Sequence, residues 1–216
     1  MALKSAQMAG LSANTQTLDR AKQFLKAASK GNGGQFAYQA ESPGTPPMSA
    51  VGLLCMQYLG TRRTDPIMGE GMGYLMGNMP DINGRNVYYW YYATQVLHNM
   101  PGPEWDKWNR HTRKVLIESQ CREGCATGSW DPDKPSKDVW GDAGGRFMVT
   151  SLSALTLEVY YRYLPLYKLD AEDDVKGPPP PVAPGDKPPA DKPPADKPPA
   201  EKPPAEKPAP GKPEKK

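Results

Sequence analysis

Histidine is nearly absent from this chain. His98 and His111 are the only two, and Cys55, Cys121 and Cys125 complete a thin supply of nitrogen and sulfur ligands. A closed zinc site takes four such ligands at compatible spacing, so no metal centre and no cofactor are expected. Three cysteines are also too few to build a disulfide scaffold. Cys55 sits in the apolar run from Val51 to Met56 and reads as a buried small hydrophobe. Cys121 and Cys125 flank Arg-Glu-Gly; they would close a small ring in an exported chain, or stand as two thiols. No apolar run approaches the roughly 18–20 residues that a membrane-spanning helix needs. The chain also lacks an excess of one charge where it would matter. Its formal net charge is +3, and the proline-rich tail carries eight lysines against six acids, which leaves the body near neutral. A near-neutral body argues against a nucleic-acid face, which is ordinarily strongly basic.

What is abundant is proline, and it is concentrated. Sixteen of the 26 prolines lie beyond Gly177, in a segment without aromatic residues that repeats Asp-Lys-Pro-Pro-Ala and Glu-Lys-Pro-Pro-Ala from Asp186. This composition divides the chain into a helical repeat domain over 1–169 and a disordered, low-complexity tail over 170–216. In polyproline II the tail would reach on the order of 100 Å, enough to tether, to space, or to meet a polyproline-reading partner. The N-terminus has no long apolar region of the secretory kind. Met1 to Gly10 reads instead as the last turns of an amphipathic helix, as though the domain opened inside an element and more chain belonged upstream. Localisation then depends on an upstream export signal or anchor, and the tail hints at the cell envelope.

Within the body, apolar spacing and breakers predict helices. Asn14 or Thr15 caps one that carries Leu18, Ala21, Phe24, Leu25 and Ala28 and stops at the glycine cluster 31–34. A proline-rich loop precedes an apolar helix from Met48 to Leu59. Asp65-Pro66 opens a helix with four glycines, each costing up to about 1 kcal/mol relative to alanine. Asn86 opens the aromatic helix Val87 to His98, Pro101 to Pro103 breaks it, and an amphipathic helix follows over Glu104–Gln120. A glycine-bearing loop then leads to a final apolar helix, Phe147 to Leu164. The helices at 48–59, 86–98 and 147–164 are apolar nearly all round, as buried inner helices should be. Those at 15–29, 65–78 and 104–120 are wetter, as outer helices should be, and the inner starts are spaced within or a little above the range of repeat arrays.

Certain residues carry a family resemblance. Gln120 with Gly128-Ser-Trp130, placed between an outer and an inner helix, resembles the QW repeat of squalene-hopene cyclases and related terpenoid cyclases. Gly33-Gly34-Gln-Phe36 looks like a degenerate copy, similar also to the Gly-Gly-Phe repeats of protein prenyltransferase β subunits. More closely, residues 1–168 are similar to the C-terminal part of planctomycete-type bacterial proteins of the squalene-cyclase-like, prenyltransferase-repeat kind. The resemblance implies an all-α fold: a partial (α/α) toroid of about three and a half inner/outer hairpins. The Gln-to-Gly spacing is looser here than in the repeat, and the cyclase Asp-x-Asp-Asp acid is missing. Asp170 to Asp174 lies past Pro165, where solvated carboxylates could not keep the raised pKa that alkene protonation requires. No convincing prenyltransferase zinc set exists either.

Candidate chemistry is therefore sparse, and no catalytic residue is assigned. Tyr88, Tyr89, Trp90, Tyr91 and Tyr92 could line an aromatic pocket for an isoprenoid or other apolar ligand, could steady a cation, or could simply fill an inner helix with hydroxyls at its wet end. Trp130 and Gln120 read as a structural staple between repeats. Asp131, Asp138 and Asp142 read as turn and cap residues before metal ligands. His98 with Glu104, or His111 with Glu118, would be the proton-transfer pairs. The function that follows is a non-catalytic module binding a protein partner or an apolar, isoprenoid-like ligand through its inner helices, with self-association through the same surface. The alternative is the C-terminal fragment of a cyclase- or prenyltransferase-like enzyme whose acid or metal site lies upstream.

Overall fold

A computed structural model describes residues 1–159. The tail repeat, the acidic run at 170–174 and the last turns of the predicted final helix lie outside the described residues. Seven α-helices are present among those described: α1 (Ala2–Met8), α2 (Thr15–Ala28), α3 (Pro46–Tyr58), α4 (Pro66–Met76), α5 (Val87–His98), α6 (Pro103–Ser119) and α7 (Gly141–Leu157). The fold is all-α apart from a two-residue hairpin, β1 (Ser29–Lys30) and β2 (Gln35–Phe36), paired antiparallel with Ser29 opposite Phe36. None of these helices is long and apolar enough to cross a membrane.

Local chemistry sets the helix starts. The side chains of Asn14, Asp65 and Asn86 accept from the backbone amides of Gln16, Ile67 and Tyr89 at 2.8, 3.0 and 3.0 Å, which satisfies one of the orphan donors at each N-terminus. Pro66 opens α4 as expected, whereas Pro46, Pro47 and Pro103 play a different part from the loop and breaker roles expected of them. Pro46, Pro47, Pro66 and Pro103 lie within the first turns of α3, α4 and α6, where a missing N–H costs nothing and the fixed φ is already helical.

Packing places α5 at the centre. It lies against α3 on one side and α7 on the other, α6 packs on α5, and α4 packs on both α3 and α6. Nine of the twelve α5 residues are buried. The shared core runs through Leu53 and Leu54 of α3, Met68 and Leu75 of α4, Trp90, Val96 and Leu97 of α5, Trp108 and Leu116 of α6, and Val149 of α7. Each such leucine, at most 1% exposed, contributes about 1.5–3 kcal/mol relative to an exposed position. One buried amide is matched on both sides. Gln57 donates to the Val96 carbonyl at 3.1 Å and accepts from Asn99 at 2.9 Å, tying α3 to the end of α5.

Two expectations need correction. The final helix is not apolar and buried all round: Val149, Ser153 and Thr156 form one buried stripe, while Phe147 is 85% exposed. Its stripe faces α5, and no second layer among the described residues covers Phe147. The helix also begins earlier, at Gly141, with a break at Gly145, whose φ of +58° and ψ of −165° lie in a region that favours glycine. The glycines of α4 are likewise not equivalent. A Cβ on Gly71 would stand 2.4 Å from Leu53, and one on Gly34 would stand 2.4 Å from the Gly71 amide, so backbone meets backbone there. Gly69 and Gly73 have nothing within 4 Å; they only loosen the helix.

Candidate functional site

The aromatic run on α5 does not act as one group, because a helix turns 100° per residue. Tyr89 and Trp90 point into the core. The Tyr89 hydroxyl donates to the Asn78 carbonyl at 2.8 Å and its ring meets Trp108 edge-on at 6.1 Å. Burial, with Tyr74 adding to it, raises the Tyr89 phenol far above its ordinary value, so it stays protonated as a structural donor. Tyr88 and Tyr92, four residues apart and therefore on one side of the helix, are half-buried with ring centroids 4.7 Å apart. Tyr91 is buried beside Tyr92 at 5.0 Å. Tyr88 reaches Trp140 at 6.1 Å. Trp140 is 43% exposed and Val139 65% exposed, so the five-residue run resolves into three buried rings and a half-buried pair, Tyr88 and Tyr92, which Trp140 extends into an aromatic face.

What holds Trp140 there is a clasp. Arg85, just before α5, is 1% exposed. Its Nη1 donates to the carbonyls of Asp131, Lys134 and Ser136 at 2.8, 2.6 and 2.9 Å. Asp138, equally buried, accepts the Val87 amide at 3.0 Å and the Trp140 amide at 2.9 Å. The Val139 amide donates to the Arg85 carbonyl at 3.0 Å. Burial pulls the Arg85 guanidinium below its ordinary pKa, and Asp138 opposes that pull. The pair fastens the loop between α6 and α7 to the start of α5.

The same loop is fixed at its other end by Trp130. The indole, 3% exposed, donates to the Leu116 carbonyl at 2.8 Å, and the Trp130 amide donates to the Thr150 hydroxyl at 3.1 Å, linking α6 to α7. Gln120 donates its side-chain amide to the Gly128 carbonyl at 2.8 Å; it holds the loop and does not cap orphan helix amides. Gly128, at φ +85°, returns its own amide to the Cys121 carbonyl. Cys121 and Cys125 are two free thiols, the first half-buried and the second exposed. Arg146 bridges Ser129 and the Asp131 carboxylate. The Asp133 amide first, and Arg146 after it, hold the Asp131 carboxyl below its usual range.

The other predicted residues fall as follows. Gly33, at φ +107°, and Gly34 carry the hairpin past α4. Phe36 is buried, its ring 2.2 Å from where a Cβ on Gly52 would lie, and its amide donates to Ser49 at 2.9 Å. Cys55 is half-buried rather than buried, and that burial raises its thiol. His111 bonds the Pro80 carbonyl at 2.7 Å, while Glu118 pairs with Lys114 at 4.0 Å, so His111 and Glu118 are not a couple. His98 stacks edge-on against Trp105 at 5.1 Å, and burial lowers its pKa. Asp142 pairs with Lys137 at 2.6 Å. Among the described residues no three His, Cys, Asp or Glu side chains converge as a metal site would require.

Two depressions accompany these elements. One of about 250 Å³ opens beside Pro46, Asn86, Tyr89 and Val139, below the roughly 300–1,000 Å³ usual for small-molecule sites. The other, about 590 Å³, is walled by Glu118, Asp131, Lys134 and Pro135, and none of Tyr88, Tyr92, Val139 and Trp140 lines it. Beside the aromatic face, then, the fold offers a surface better than it offers a cavity. Compared with known proteins, the chain matches no family model, no curated protein and no solved structure.

Proposed function

We propose that this chain is a binding module of the α/α-toroid-repeat class, taking a protein partner or an apolar ligand on the face built by Tyr88, Tyr92, Val139 and Trp140. The observation that carries the reading is that exposed aromatic corner, rigidly clasped to α5 by Arg85 and Asp138. An aromatic surface kept in one conformation and half open to water is enriched at binding sites, since such rings contribute large contact area at little entropy. The toroid reading is supported by the packing order, in which α3, α5 and α7 adjoin in sequence while α4 and α6 lie against them. The depression that borders the face at Val139 is smaller than small-molecule sites usually are, so a protein surface suits the face better than a small isoprenoid.

The test uses the five tryptophans of the full chain. Trp140 is 43% exposed and the other four are at most 9% exposed, so acrylamide quenching reports chiefly on Trp140. The dye ANS, which binds exposed apolar surface, should fluoresce on the full chain and protect Trp140 from acrylamide. Farnesol serves as the isoprenoid probe. Tyr88→Ser should remove most of the ANS signal with far-UV dichroism unchanged. Equal ANS signal in that variant and the parent, with Trp140 unprotected, would end the proposal.

A further inference from the structure

The shape of the aromatic face narrows what it can take. Tyr92, Tyr88 and Trp140 follow one another at centroid steps of 4.7 and 6.1 Å, with successive ring planes tilted by 59° and 55°. Trp140, at the open end of the run, is 43% exposed. A polyproline II helix rises about 3.1 Å per residue and presents the same side every third residue, roughly every 9 Å. One turn of such a helix is comparable with the two centroid steps taken together, which bound the length of the ring run from above. Its proline rings are apolar and already fixed in φ, so docking sacrifices little backbone freedom. Aromatic-lined grooves are the general means by which proteins read such segments.

This chain carries a segment of that chemistry. Asp-Lys-Pro-Pro-Ala occurs three times in succession from Asp186, and Glu-Lys-Pro-Pro-Ala follows from Glu201. Each repeat offers a proline pair to lie against the rings and a lysine able to lie over a tyrosine or tryptophan face. Each also holds one acid beside one base, so it is neutral as a unit. The rim next to Trp140 is neutral in the same way, with Lys137 and Asp142 paired at 2.6 Å and mostly exposed. A neutral rim penalises neither sign of the repeat, whereas a strongly acidic or basic one would repel half of it.

We propose that the face formed by Tyr92, Tyr88, Val139 and Trp140 docks an extended Lys-Pro-Pro-Ala peptide, and that its occupant is the 186–205 repeat of a second copy of this chain. The inference rests on the reading of this face as a binding surface and specifies the partner. Four motifs in series present that one face with four alternative registers, which raises the effective concentration of the sequence it reads.

The experiment uses the full chain and a synthetic peptide of four Asp-Lys-Pro-Pro-Ala repeats. Sedimentation over a wide concentration range should show self-association that the peptide reverses. The peptide should also reduce acrylamide quenching of Trp140. A peptide of the same composition with every Pro-Pro pair separated should act at least ten-fold more weakly, as should the parent peptide on Tyr88→Ser. Replacing the paired prolines at 188, 189, 193, 194, 198, 199, 203 and 204 by alanine leaves residues 1–159 untouched and should abolish association. The proposal is overturned if the chain sediments as a monomer throughout, or if the two peptides protect Trp140 equally. Should ANS protect Trp140 while the peptide does not, only this assignment fails; should neither protect it, the binding-face reading fails as well.

Discussion

Replacing Arg85 by methionine keeps the volume of the side chain and removes its charge and donors. Nη1 carries two hydrogens for three carbonyls at 2.6–2.9 Å, so one hydrogen is shared and the set is equivalent to about two charge-assisted bonds of roughly 1.5–3 kcal/mol each. Against this, Nε and Nη2 are buried without partners among the described residues, and shedding them returns about 1–2 kcal/mol. The carbonyls of Asp131, Lys134 and Ser136 would then be left unsatisfied, and Asp138 would lose its nearest buried cation. The net loss is about 3 kcal/mol, a large share of the roughly 5–15 kcal/mol of a typical domain. Urea unfolding of the full chain measures it. Amide exchange locates it, since the Val139 N–H that donates to the Arg85 carbonyl should lose protection before the α5 interior does. Acrylamide quenching of Trp140 should rise in parallel. A midpoint within about 1 kcal/mol of the parent, with Val139 still protected, would refute the clasp.

Three further outcomes follow from the packing. Gly34→Ala, whose new Cβ would lie 2.4 Å from the Gly71 amide, should destabilise by about 1–3 kcal/mol, while Gly69→Ala and Gly73→Ala should each stabilise by up to about 1 kcal/mol; thermal melts of the three separate close approach from mere helix loosening. Trp130→Phe deprives the Leu116 carbonyl of its 2.8 Å donor and should lower the urea midpoint by an amount equal to about 1–2 kcal/mol, unless water reaches that carbonyl. His98 gives a pH dependence. Burial places its folded pKa below the unfolded value, so the unfolded state binds the proton more readily. Its contribution is therefore complete above about pH 6.5 and is lost as pH falls from there through the folded pKa. The parent should lose more stability between pH 7.5 and 5.5 than His98→Gln, and equal losses would remove His98 from the account.

Where a signal was local, residues alone sufficed to place it. Asn14, Asp65 and Asn86 each bond an amide two or three positions on, so cap and helix start are written within one short stretch. Helical spacing alone also implies that Tyr88 and Tyr92 share a side that Tyr89 does not. Arg85 is the opposite case. Its carbonyl partners lie 46 to 51 residues away, and between Gly84 and Asn86 it looks like any solvated turn residue. Trp140 gave no periodic signal because it precedes α7 in a loop, and its exposure depends on that distant clasp. Prolines misled in a regular way: a breaker in the middle of a helix is harmless at its first turn, and composition cannot tell Pro46, Pro47 and Pro103 from the prolines of true loops. The exposure of Phe147 followed from what does not pack on α7 among the described residues, a fact of tertiary arrangement and not of its apolar neighbours.

The stretch between Ser119 and Gly141 has only one short 3₁₀ turn, Gly124–Ala126, to its name, and on length alone an engineer would choose it for splicing in an epitope or a fluorescent reporter. Its riveting by an interior guanidinium, an interior carboxylate and a sunken indole reverses that choice. Any graft there would pull on three helices at once. The mostly exposed bend at Tyr38–Gly44, which Lys30 holds by donating to the Ala40 carbonyl, is where foreign sequence would sit with least disturbance, leaving the aromatic corner in its native pose.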